Sequence, residues 1–331
     1  MTFCNQSDSE VIFSATTSSI LVYVAIILSI MGTILNLLVI LPLLTSRRLR
    51  GCSTTLLIVG VAVGDFLWSV LVLPVKGRMF YTLSWEHVGS CTFFPVMEHV
   101  ILGGSVLCLM FAIVNWTCFI FCRERAVNIF TFRASIFLIV IAWGFPLLLL
   151  SPSLTGAWGV VKVDNLTQMC LIMEHNGGSP IPLFKDLIFI VPSVTMFICI
   201  SLDLWKLCSK TTETTLSEQK FMMMLCLIFF MFMMCIMPDY LLGKLDLCYK
   251  YPALHTMSFI SIWSCVVICP TIMLSTNRGY RNAVVAMGKR VAGYLEKEQT
   301  WNSVADTRRM SMGRMLVSDF QRQTSSGIIQ E

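Results

Sequence analysis

Residues 91–122, CTFFPVMEHVILGGSVLCLMFAIVNWTCFIFC, decide the fold. They hold one acid, Glu98, and one histidine, His99, in an otherwise apolar run. At 1.5 Å per residue the run makes a helix of about 48 Å, enough to cross a bilayer at a tilt. Cys91, Glu98 and Ser105 recur at every seventh residue. They therefore share one stripe that drifts by about 20° per heptad. A carboxylate on that stripe, about 10 Å below the outer end, is costly in lipid and is expected to face the protein interior.

Outward from this run lie six further apolar stretches, near 20–45, 54–76, 135–157, 182–207, 220–243 and 254–276. Each is 18 residues or longer, and lipid admits only helices or closed barrels. The period-2 alternation of a barrel is missing, so an all-α membrane protein of seven transmembrane helices is expected. Composition agrees: 56% of residues are hydrophobic and 13% charged, against about 25% charged in soluble domains.

The net charge of +5 does not point to nucleic acid, because the bases are scattered through loops and tail. Membrane topology accounts for them. Arg47, Arg48 and Arg50 follow the first stretch, Arg123, Arg125 and Arg133 the third, Lys206, Lys210 and Lys220 separate the fifth from the sixth, and Arg278, Arg281, Lys289 and Arg290 follow the last. The positive-inside rule puts these on the cytosolic side and the N-terminus outside, although Lys76, Arg78, Lys162, Lys244 and Lys250 fall in outer loops on that topology. The first stretch is expected to serve as its own anchor, without a cleavable signal peptide. Sequons at Asn5 and Asn165 then lie outside, where glycosylation occurs. The match at Asn115 falls at the inner end of the third stretch and is expected to stay unmodified. Cys91 and Cys170 share the oxidising side and are expected to form a disulfide. Cys4 and Cys248 lie there too, as a second bridge or as free thiols.

Two polar residues stand alone in the first two stretches: Asn36 in ILNLLVI and Asp65 in VAVGD. Burying either without a partner costs several kcal/mol, so they are expected to meet each other or a shared water or ion. These two, with Cys91, Trp143, Pro146, Cys170, Pro192, Pro238 and Pro270, stand in an order and spacing that resembles the rhodopsin-like (class A) G-protein-coupled receptors. The end of the seventh stretch, CPTIMLSTNRGYRNAVV, resembles the family's last span followed by a short amphipathic helix 8. The segments LPVKGRMFYTLSWEHVGSC and LLSPSLTGAWG are similar to invertebrate moody-like orphan receptors, which in turn resemble melatonin receptors.

The resemblance implies a seven-helix bundle in the plasma membrane and no enzyme activity. Its expected divisions are an extracellular segment at 1–19, a bundle at 20–276, an amphipathic surface helix at 277–292 and a disordered cytoplasmic tail at 293–331. It further implies signalling from an extracellular ligand to a heterotrimeric G protein, and an arrestin-like partner for a tail phosphorylated at Ser311, Ser318, Thr324, Ser325 or Ser326. Glu98 aligns with the position where amine-binding relatives carry an aspartate, which implies a cationic ligand. Equally, Glu98 could be satisfied by His99, Lys185 or Lys244, or sit protonated among apolar neighbours. Asp186, Asp239, Tyr240 and Trp263 complete the expected rim. Asp65 and Ser105, with Asn36 beside them, match members of a sodium pocket, the one cofactor the resemblance raises. Cys269 stands where many relatives have an Asn.

Three departures bear on signalling. Counting 24 residues from Cys91, the family's acid-Arg-Tyr reads Asn115, Trp116 and Thr117; Cys-Trp-x-Pro reads Cys235-Ile236-Met237-Pro238; Asn-Pro-x-x-Tyr reads Cys269-Pro270-Thr271-Ile272-Met273. Glu218 keeps the acid at the base of the sixth span, without its usual arginine. Trp116 lacks the charge-assisted hydrogen bonds of a guanidinium. Coupling then uses Arg123, Arg125 and Lys220, or the chain is a receptor-fold scaffold or adhesion partner. A transporter's paired broken helices and the His-Glu-x-x-His motif of a metalloenzyme are both missing from the sequence.

Overall fold

The computed structural model describes residues 13–46, 53–82, 88–164, 167, 169–175, 178–209, 215–246 and 249–294, with 88–90 as backbone alone. Seven helices are long and apolar enough to cross a membrane: span one Ala15–Thr45, span two Ser53–Thr82, span three Cys91–Phe121, span four Phe132–Leu154, span five Ile181–Cys208, span six Leu216–Leu245 and span seven Pro252–Thr276. The helical backbone of span three starts three residues earlier, at Val88. Local chemistry sets several ends. Ser14, in extended conformation, accepts from the Thr17 amide and starts span one. Thr215 and Glu218 form a reciprocal capping box at the start of span six. Arg281 donates to the carbonyls of Leu274 and Ser275, which satisfies the last turn of span seven. Helical backbone resumes at 278 and runs to 294; the part from Asn282 onward belongs to a separate compact unit.

Two spans are not regular. Trp68–Val72 in span two and Asp186–Ile190 in span five are π-helical turns. Each ends two residues before a proline, Pro74 and Pro192. A proline lacks the N–H of the ladder and its ring crowds the preceding turn, and a widened turn absorbs both. Span two stays helical through these turns to Thr82, which carries Lys76 inside the bundle instead of into a loop.

Spans two and three form the centre. In their most apolar windows 67% and 61% of residues are buried, against 28% in span one and 22% in span four. The outer faces of spans one, four and five expose Ile26, Ile30, Phe137, Val140, Leu148 and Phe197, a surface that suits lipid. The central pair approaches closely because span two carries Gly60 and Gly64. A methyl group at Gly64 would lie 1.8 Å from Ser105 Oγ, and one at Gly60 2.8 Å from Cys108 Sγ. Small residues four apart are a usual device for close approach in membranes, where packing rather than water drives association. Gly64→Leu is expected to destabilise the bundle by about 3 kcal/mol through overpacking. A thermal melt of the purified variant in detergent reads this, and an unchanged midpoint would show that the two helices are not so close.

On the side where span three begins, β1 (Val160–Val163) and β2 (Cys170–Met173) form an antiparallel hairpin, Val160 opposite Met173 and Val163 opposite Cys170. Both strands pack on span three. The expected bond is present: Cys91 and Cys170 are joined as a disulfide.

Candidate functional site

The candidates fall into three layers along the bundle. In the outer layer Glu98 Oε2 lies 2.9 Å from Lys76 Nζ, and both side chains are largely buried. The Lys76 ammonium also sits 5.5 Å from the centre of the Phe94 ring. None of the three partners expected from the sequence holds Glu98. His99 turns Nδ1 to the Pro95 carbonyl at 2.6 Å. Lys185 lays its amine against Gly243. Lys244 reaches Asp186 at 2.8 Å. Lys76 prevails because span two remains helical past its proline.

Asp186 accepts a second hydrogen bond, from the Tyr240 hydroxyl at 3.0 Å. This group lies on spans five and six, and a file of rings connects it to His99. His99 meets Phe184 at 5.3 Å, Phe184 meets Phe189 at 6.4 Å, and Phe189 meets Tyr240 at 6.2 Å. Trp263 belongs to a different group. It stacks on Phe259 and meets Phe80 edge-on, and Phe13, just before span one, closes over both phenylalanines. Asp239 has no hydrogen bond or ion pair among the described residues. Of the expected rim residues, His99, Asp186 and Tyr240 are thus joined by one file of rings, Glu98 turns to Lys76, and Trp263 packs in a different aromatic group. Above span seven, Asp246 accepts from the Lys250 and Tyr251 amides and faces His255 Nε2 at 3.3 Å. Burial pushes this carboxyl up, but the two amides and the imidazole outweigh it and hold the group below the usual carboxylate range.

In the middle layer Asn36 does not bond to Asp65. Its amide donates to the carbonyls of Gly32 and Val266, both at 2.9 Å, and so ties span one to span seven. Asp65 Oδ2 is buried without a partner among the described residues. It borders a void of about 20 Å³ lined also by Trp68, Ser105, Cys265 and Cys269. That space suits one water molecule. The donor set is short of what a sodium ion needs: Asp65 and Ser105 alone among the lining side chains present oxygen, and Cys265 and Cys269 offer sulfur where a hard cation takes oxygen.

The inner layer is held by rings and one ion pair. Trp116 is buried, stacks on Phe119 at 5.5 Å and meets Phe221 of span six at 4.6 Å. Two turns further on, Arg123 pairs with Glu218 and lies over the Phe119 ring at 4.5 Å. Thr117 donates to Asp203 of span five at 3.0 Å, and Asp203 is buried. Lys206 caps the Ile120 carbonyl at 2.8 Å.

Comparison with known proteins fixes what this bundle is. The pattern of the 7 transmembrane receptor (rhodopsin family) matches residues 35–271. The chain belongs to that family. It is 25% identical over 285 residues to "Protein trapped in endoderm-1" of Drosophila melanogaster, covering 76% of this chain and 73% of that one. It is 26% identical over 193 residues to "G-protein coupled receptor moody" of the same fly, covering 57% of this chain but only 28% of that protein. Receptors of this family are multi-pass proteins of the plasma membrane, and they are not enzymes.

For this receptor the structure gives three residues a place or a partner that sequence reasoning does not. Lys76 was assigned to a loop. Arg123 is among the bases expected to take part in coupling, but its partner is not legible in the sequence: it restores a cation to Glu218 seven residues beyond the tryptophan that stands in place of the family's arginine. Asp203 was not singled out at all, although an acid within an apolar span is itself a signal of function. Asn115 is buried with its amide nitrogen unpartnered among the described residues. Asn5, Asn165, Cys4, Cys248 and the tail serines lie outside the described residues.

Proposed function

We propose that this receptor binds an extracellular ligand in the outer layer, at Glu98, His99, Asp186, Asp239, Tyr240 and Trp263, and signals to a heterotrimeric G protein from the inner layer at Asn115, Trp116, Thr117 and Glu218. The observation that carries this reading is the Arg123–Glu218 pair beside Trp116 and Phe221. Spans three and six are held together at their inner ends by contacts that are few, local and breakable. Span six can therefore part from span three without dismantling the core. A scaffold would have no need of so slight a closure, although Trp116, Ile236 and Met273 favour that alternative.

The Lys76 ammonium neutralises Glu98, so a ligand cation must displace it. A ligand carrying an anionic group has a partner in Lys76 directly. Support for an extracellular N-terminus comes from the disulfide at the Cys91 end, which suits an oxidising compartment, and from Arg123, Arg125, Arg133, Lys206 and Lys220 at the opposite end. On that topology Asn5 and Asn165 face the glycosylating side, and the tail serines face a cytosolic arrestin-like partner.

The test is G-protein activation in cells expressing Trp116→Arg, alone and combined with Glu98→Gln. Trp116→Arg is expected to raise signalling, and Glu98→Gln to shift the response to any charged agonist by tenfold or more. Basal and ligand-driven signals that stay flat in both would favour the scaffold.

A further inference from the structure

The pair between Lys76 and Glu98 limits what can bind beside it. It joins span two to span three in the outer layer, and its side chains are only 11% and 17% exposed. Neither group is saturated. An ammonium has three N–H donors and a carboxylate has two acceptor oxygens. Among the described residues Lys76 hydrogen-bonds only through its contact with Glu98 Oε2, with the Phe94 ring near its ammonium, and Glu98 Oε1 has no hydrogen-bond partner. Lys185, Lys244, Asp186 and Asp239 lie on spans five and six and balance one another in sign. The Lys76–Glu98 pair therefore stands as a neutral unit with bonding capacity left on both members.

That neutrality selects among ligands. A lone ammonium at Glu98 either displaces Lys76 or adds to it, and both outcomes leave one net charge where little water reaches, which is costly. A lone carboxylate at Lys76 strands Glu98 in the same way. A zwitterion adds no net charge. With its ammonium on Glu98 Oε1 and its carboxylate on the free N–H groups of Lys76, it lies antiparallel to the existing pair. Four charges then alternate in sign, and every contact is a charge-assisted hydrogen bond. The head of an α-amino acid carries ammonium and carboxylate on one carbon, a spacing compact enough to match a pair 2.9 Å apart. We propose that the outer layer takes a ligand with an α-amino-acid head, bound across Lys76 and Glu98. The proposal rests on the reading that the extracellular ligand binds in this layer, and adds the charge class that the layer accepts.

Thermal melts of the full chain purified in detergent test it with two matched trios. One is L-phenylalanine, phenethylamine and hydrocinnamate; the other is L-leucine, isoamylamine and isocaproate. An amino acid of these trios is expected to raise the melting temperature and to reach half of its effect at a concentration about tenfold below that of its amine and its acid. Lys76→Met is expected to move the preference to the amine, Glu98→Gln to move it to the acid, and the double variant Lys76→Met/Glu98→Gln to erase it. An amine or acid that stabilises the unmodified chain as well as its amino acid would overturn the proposal while leaving a ligand in the outer layer. That comparison needs no variant to fold. An amino-acid preference that survives in the double variant would overturn it too. So would a chain that none of the six compounds stabilises, in which case the signalling comparison with Glu98→Gln judges the outer layer by itself.

Discussion

Trp116→Ala is expected to raise ligand-independent G-protein activation about tenfold while lowering the melting temperature. Truncating a buried tryptophan costs roughly 3–5 kcal/mol in total. Most of that loss falls on packing within span three and its neighbours and affects closed and open states alike. The part that discriminates between the states is the contact with Phe221 across to span six, since an aromatic pair contributes about 1 kcal/mol beyond its area. With the accompanying loss of cross-span packing this approaches the 1.4 kcal/mol that corresponds to tenfold in a population ratio. The Arg123–Glu218 pair contributes less. Arg123 is 58% exposed at its side chain, and exposed pairs are worth about 0.5 kcal/mol. Arg123→Glu should therefore raise basal activity only two- to fourfold, and the exchange Arg123→Glu with Glu218→Arg should return it toward the starting level. An energy-transfer sensor of G-protein dissociation reads both variants. A fall in melting temperature with no rise in basal signal would mean that Trp116 is packing alone.

Removing the Cys91–Cys170 bond is expected to have the second large effect. The bond closes a loop of 79 residues, which in the chain-entropy account corresponds to about 4.5 kcal/mol for a free chain. Spans three and four are already confined by the bilayer, so the realised loss is expected to be nearer 2 kcal/mol. The hairpin suffers most, because two four-residue strands are marginal by themselves. Cys170→Ser should therefore lower the melting temperature and weaken binding in the outer layer. The double variant Cys91→Ser/Cys170→Ser should match the single one, since either change removes the same bond. A double variant as stable as the original chain would show that the bond contributes nothing.

The middle layer shows how far a lone polar residue can be read from sequence. Asn36 and Asp65 each announced themselves as a polar group among aliphatics, and both are buried. Their pairing was not legible. Asn36 found the Val266 carbonyl because Gly32, a turn away, lets spans two and seven close on span one: a methyl group there would meet Ser69 Oγ at 2.3 Å and Val266 at 2.7 Å. The same limit applies to Glu98. Its inward stripe followed from heptad spacing, whereas its partner depended on a π turn that keeps span two helical past Pro74.

Seven membrane-crossing helices follow from residue order alone, because a backbone in lipid must satisfy its own hydrogen bonds within each apolar run, and length and composition reveal that locally. The disulfide was legible for a similar reason, since two cysteines stood on one side of the membrane. Which charges meet was left to the tertiary structure. Arg123 and Glu218 are 95 residues apart, Thr117 and Asp203 are 86 apart, and Asn36 and Val266 are 230 apart. Pairs so distant are brought together by the side-by-side packing of whole helices, and no periodicity within one helix records what its neighbour presents.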